Sequence, residues 1–187
     1  MVPVGYMAKH VVSRPDWLEA ERVTDIYSVS NCISPNFADY IDYWMHNGYW
    51  FFDSPQVLSE LADQNSLDLE GTRLFFYEVY ERELHGDTGQ WEDFKPEPSL
   101  ETRVLIIPGA KQLEGYDVVT FYARTTPECS PLSCNALATE VETNQHCLLP
   151  SLERAMELLE EGTFQDTEPG PYRIFAVYST EWPGRPR

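Results

Sequence analysis

The run Leu74-Phe75-Phe76-Tyr77-Glu78-Val79-Tyr80, inside segment 73–84, constrains the fold more than any other stretch of this chain. Aromatic and β-branched residues at this density favour a pleated, half-buried backbone, and alternation puts Phe75, Tyr77 and Val79 on one face. A sheet is therefore the expected frame. Further strands are expected at 23–29, where Val23, Asp25 and Tyr27 alternate with Thr24, Ile26 and Ser28, and at 49–52, 103–107, 118–124, 146–149 and 172–179. They are short and not uniformly apolar as buried parallel strands are. The fold class expected is α+β, a mostly antiparallel sheet with helices on one face.

Helix signals fall between the strands. Ser34-Pro35 supplies an N-cap and a first-turn proline, Phe37, Ile41, Trp44 and Met45 recur at helical spacing, and His46-Asn47-Gly48 makes a stop. Asp53-Ser54-Pro55 repeats the start signal ahead of Val57, Leu58, Leu61 and Ala62. Ser151 caps a third helix with Leu152, Ala155, Met156 and Leu159 on its apolar face and Gly162 beyond its end. Residues 85–99, rich in Gly, Pro and charge, form a connecting loop; Pro108-Gly109 through Gly115 reads as a hairpin, and 125–145 as a polar loop.

Laid over each other at an offset near 97 residues, the two halves suggest an internal duplication into βαβ-like units: Cys32 falls on Cys129, Asn47 on Asn144, Ser54 on Ser151 and Leu61 on Leu158. One residue later in register, Val79-Tyr80 falls on Val177-Tyr178. Half-units of this size bury too little surface to stand alone. The expected organisation is one compact α+β domain, 23–180, with half-units 23–84 and 100–180, a connecting loop 85–99, an N-terminal extension 1–22 and a tail 181–187.

Charge narrows the function. The 187 residues carry 31 acidic and 13 basic side chains, a formal net charge of −18. Such a surface repels phosphate backbones, so nucleic acid is excluded as an expected ligand and a basic protein partner is favoured. No apolar run approaches the ~18 residues of a membrane span, and no secretory pattern opens the chain. With four cysteines and no export signal, reduced thiols in a cytoplasmic compartment are expected.

Two constellations hold chemistry. Cys129, Cys134 and His146, with Cys32 from the first half, are the zinc-ligand types, although C-x4-C followed by a distant His-Cys pair departs from structural zinc spacing. The same residues read as a thiol nucleophile, Cys134 or Cys129, with His146 as its base. Tyr43 and Trp50 beside Asp39 and Asp42 would form an acidic, aromatic recognition patch. Phosphate-binding, zinc-protease and serine-hydrolase motifs are absent. The Asn-Gly step, aromatic run and Asp-Ser-Pro helix start bear a loose resemblance to bacterial immunity-type proteins, which implies a binding or inhibitory role. The leading expectation is a non-enzymatic, inhibitor- or immunity-like binding module without cofactor; the alternative is a thiol- or zinc-dependent enzyme built on the Cys129/Cys134/His146 loop.

Overall fold

Residues 1–38, 47–104, 106–120 and 129–184 are described by the structure, a computed structural model. Four long strands form its frame: β1 (Val2–His10), β4 (Thr72–His85), β6 (Lys111–Thr120) and β7 (Tyr172–Thr180). They pair antiparallel in the order β1-β4-β7-β6, and β5 (Gln90–Asp93) folds back on the far end of β4. The aromatic run 74–80 thus occupies an interior strand, where pairing on both sides satisfies its backbone and both its faces are covered. A mixed α+β fold with a mostly antiparallel sheet is what the sequence pattern called for.

Helix α1 (Pro55–Asn65) follows the Ser54 cap, whose side chain accepts from the Val57 amide, and α3 (Leu152–Glu160) follows the Ser151 cap, which accepts from Arg154. The first packs against β1, the second against β6 and β7. Between them, α2 (Pro131–Cys134) is a single short turn. The described residues contain no helix long and apolar enough to cross a membrane.

Two asparagines, Asn47 and Asn144, make similar local geometry. Asn47, wholly buried, donates from Nδ2 to the Val4 carbonyl while its Oδ1 accepts from the amides of Tyr49 and Phe51. Asn144 donates to the Glu114 carbonyl and accepts from the amides of His146 and Leu148. Each asparagine therefore fastens the loop ahead of its helix to a strand at a glycine bulge. Gly5 (φ +125°) and Gly115 (φ +150°) allow that approach: a Cβ on Gly5 would lie 2.3 Å from the Phe52 carbonyl oxygen, and one on Gly115 2.7 Å from Leu148 Cβ. Bridges Tyr6–Phe52 and Tyr116–Leu149 close the two loops.

Several expectations need correction. Residues 1–22 are no extension: they supply β1, whose Val4, Tyr6, Met7 and Ala8 are core residues. Pro3 and Gly5 hid this strand, since an edge strand tolerates proline and a bulge uses glycine. Ser34 does not cap a helix; its hydroxyl donates to the carbonyls of Ile26 and His10, and Asn36 bridges to Lys9. The rest of that expected helix, 39–46, lies outside the described residues. Segment 23–29 contributes only β3 (Asp25–Ile26), paired with β2 (Val12–Ser13). Segments 49–52 and 146–149 make single bridges because their backbone groups turn inward to Asn47 and Asn144. The described residues of 103–107 are not a strand, and Lys111 to Gly115 belongs to β6 rather than to a hairpin. Residues 121–124 and 125–128 lie outside the described residues.

Candidate thiol site

In a strand pair, directly opposed residues share a face. Lys9 opposes Arg73 and Met7 opposes Phe75 across β1/β4; Tyr77 opposes Val177 and Val79 opposes Phe175 across β4/β7; Phe175 opposes Asp117 across β7/β6. Lys9 and Asp117 therefore stand on the same face of the sheet, one on each outer strand, with Phe75, Tyr77 and Phe175 between them. Two loops cover this face. Tyr27 packs edge-on against Phe75 and Phe51 against Tyr77 and Phe175, at ring distances of 5.0, 4.9 and 5.7 Å.

Lys9 is wholly buried, and its ammonium donates to three consecutive carbonyls, Ser28 at 2.6 Å, Val29 at 2.9 Å and Ser30 at 2.6 Å. An ammonium has three donors, so this cradle satisfies it completely. Asp117, equally buried, accepts at Oδ2 from the Val29 amide at 2.8 Å and from the Ser130 hydroxyl at 2.6 Å. Ser130 Oγ also accepts from the Ser30 amide at 3.4 Å. Lys9 and Asp117 thus tie segment 28–30 and segment 129–134 to the sheet and to each other. Asp117 Oδ1 and the Tyr77 hydroxyl, also buried, have no hydrogen-bond partner among the described residues.

That tie brings three sulfurs together. Cys32 follows the lysine-bound turn, Cys129 and Cys134 flank the Asp117-bound serine, and the thiols of Cys129 and Cys134 both hydrogen-bond to Cys32. Ser30 Oγ lies 3.9 Å from Cys134 Sγ, and Cys129 Sγ donates to Asn135 Oδ1 at 3.2 Å. All four cysteines are unbridged thiols; Cys32 is exposed, Cys134 half-buried, Cys129 and Cys147 buried.

The arrangement divides the thiols. Hydrogen bonds from Cys129, then from Cys134, hold Cys32 well below the ordinary thiol range against its partial burial, with Ser30 and the Lys9 charge adding to them. Cys129 is pushed up by its neighbours Cys134 and Cys32 and by burial. At Cys134 the neighbouring Cys129 favours the thiolate, but Cys32 and burial outweigh it and hold the thiol up. Burial pushes Cys147 up, reinforced by Asp117 and Cys134. Burial also lowers Lys9 to about 7, opposed by Asp117, Cys32 and Cys134, and raises Asp117 to about 7, opposed by Ser130 and the Val29 amide.

His146, expected as a base or ligand for these sulfurs, has other partners. Its Nδ1 lies 2.5 Å from Asp25 Oδ1, its Nε2 3.6 Å from Glu114, and its ring stacks on Tyr27 at 4.0 Å. Among the described residues no group of three or more His, Cys, Asp and Glu side chains is arranged to hold a metal ion. Lys9 and Asp117 carried no sequence signal as a pair: Lys9 falls in the expected N-terminal extension 1–22, and Asp117 just ahead of the expected strand 118–124.

Of the aromatic patch, Tyr43, Asp39 and Asp42 lie outside the described residues. Trp50 is mostly buried, 8% exposed, and lines a groove of about 510 Å³ with Phe94, Pro96, Pro171, Glu92 and Asp93. At its base Arg173 pairs with Glu83 at 2.6 Å and stacks 3.7 Å over Phe94. No family model, curated protein or solved structure matches the chain.

Proposed function

We propose that the protein acts by thiol–disulfide exchange, with Cys32 as the attacking thiolate. The observation that supports this reading is the convergence of an exposed Cys32 with the thiols of Cys129 and Cys134 beside a buried ammonium. The Cys32 thiolate attacks one sulfur of a substrate disulfide, the S–S bond breaks, and one half leaves as a thiolate. Cys134, the less buried of the two neighbours, gives its proton to solvent and attacks Cys32 Sγ; the second half leaves as a thiolate. The protein loses two electrons and the substrate becomes two thiols.

The reduced chain, mixed with glutathione disulfide, should release two glutathione thiols and lose two hydrogens in mass. A Cys134→Ser variant should stop at a mixed disulfide on Cys32. Unchanged reaction of a Cys32→Ser variant would overturn the reading.

A second reading, a binding face for a basic partner, is favoured by the groove between Trp50 and Phe94 with Glu92 and Asp93 on its rim, on a chain of net charge −18. A lysine-rich peptide should bind, weaken as salt rises, and weaken again on Glu92→Lys with Asp93→Lys; salt-insensitive binding would contradict it.

A further inference from the structure

We propose, resting on the thiol reading above, that Lys9 is a positioning residue for that site: its buried ammonium, bonded to three consecutive carbonyls, shapes the turn that presents Cys32 and adds a positive charge behind it, so that the two groups are linked.

The placement carries the argument. Three bonds from one ammonium to three consecutive carbonyls fix the orientation of residues 28–30, two positions ahead of Cys32. A neutral, apolar side chain at position 9 would leave those buried carbonyls without their donor. Around Lys9 the charged and titratable groups come from every covering element. Asp117 comes from β6, Arg73 from β4, Cys32 from the lysine-bound turn and Cys134 from α2, while Tyr77 of β4 and Cys147 of the loop before α3 act on Asp117. Arg73 is exposed and sits over the Tyr27 ring at 5.2 Å. A thiolate at Cys32 favours the charged form of Lys9, and burial opposes it. By linkage Lys9 must favour the thiolate by the same factor. Oxidising or capping Cys32 removes the negative charge, and the ammonium then gives up its proton more readily.

The test uses the natural chain. Lysine-labelled protein, with only Lys9, Lys95 and Lys111 to distinguish, is titrated by NMR before and after Cys32 is capped with iodoacetamide, which leaves a neutral group. The Lys9 midpoint should fall by roughly half a pH unit or more on capping, with Lys95 and Lys111 unmoved. In parallel, Lys9→Met should raise the pH midpoint of Cys32 alkylation by the same roughly half a unit or more, about a threefold slower reaction at a given acidic pH, whereas Asp117→Asn should not raise it, because a carboxylate can only repel a thiolate. A Lys9 midpoint unaffected by capping, or an equal upward move in both variants, would overturn the inference and leave Lys9 a structural anchor. If Cys32 in the natural chain titrates near the ordinary value of ~8.5, the thiol reading itself falls; a low Cys32 midpoint with an indifferent Lys9 removes only this inference.

Discussion

Replacing Asp117 by Asn should make the protein's stability less sensitive to pH in one defined window. Asp117 is 1% exposed, its Oδ1 has no partner among the described residues, and burial raises it from 3.8 to about 7. A carboxyl whose folded-state value is raised binds its proton more tightly folded than unfolded. Its contribution is complete below pH ~4 and is lost as pH climbs through about 7. Three units at 1.36 kcal/mol each give about 4 kcal/mol across that window. Asparagine keeps the shape and an oxygen acceptor for the Val29 amide and Ser130 hydroxyl but cannot ionise. Urea unfolding of both proteins at pH 4, 5.5, 7 and 8.5 reads Asp117 together with its effect on Lys9, because the remaining carboxylates cancel in the difference. The variant should gain on the natural chain by several kcal/mol between pH 4 and 8.5. A difference independent of pH would refute the view that Asp117 is a buried, proton-holding group.

Other perturbations test the frame around the site. Asn47→Ala, and separately Asn144→Ala, should each cost about 3 kcal/mol, since each removes three buried or half-buried bonds to backbone worth ~1 kcal/mol apiece; by calorimetry that is roughly 6–12 °C in Tm for a chain of this size. Gly5→Ala should cost more than Gly71→Ala: both have positive φ, but the first would also place Cβ 2.3 Å from a carbonyl oxygen while the second meets open space, where ~1 kcal/mol of backbone strain is expected. Equal losses would argue against the close contact at Phe52. Ser151→Ala should lower stability by ~1 kcal/mol through the lost cap at Arg154, with no effect on Cys32 reactivity.

The fold was legible where one residue type does one job. Ser54-Pro55 and Ser151 announce helix starts, and the 74–80 run announces an interior strand, because capping and β-pairing are local. Asn47 and Asn144 stood out only as matches at a fixed offset; nothing local says that a buried amide will gather three backbone partners. β1 was missed because Pro3 and Gly5 weaken its β signal and its partner lies some 70 residues away. Cys32, Cys129 and Cys134 were legible as candidates, yet their meeting depends on Lys9 and Asp117, which are charges on strands and reveal their role only when both loops close over them. His146 misled because being the right residue type for a zinc ligand or a thiol's base says nothing of its contact with Asp25.

The most direct measurement is the identity of the first disulfide formed when the dilute, reduced chain is oxidised by about one equivalent of glutathione disulfide and mapped by peptide mass. A bridge joining Cys32 to Cys134 or Cys129, with Cys147 still a free thiol, is the outcome expected of three converging sulfurs. Modification spread evenly over the four cysteines, or a bridge that excludes Cys32, would contradict the site.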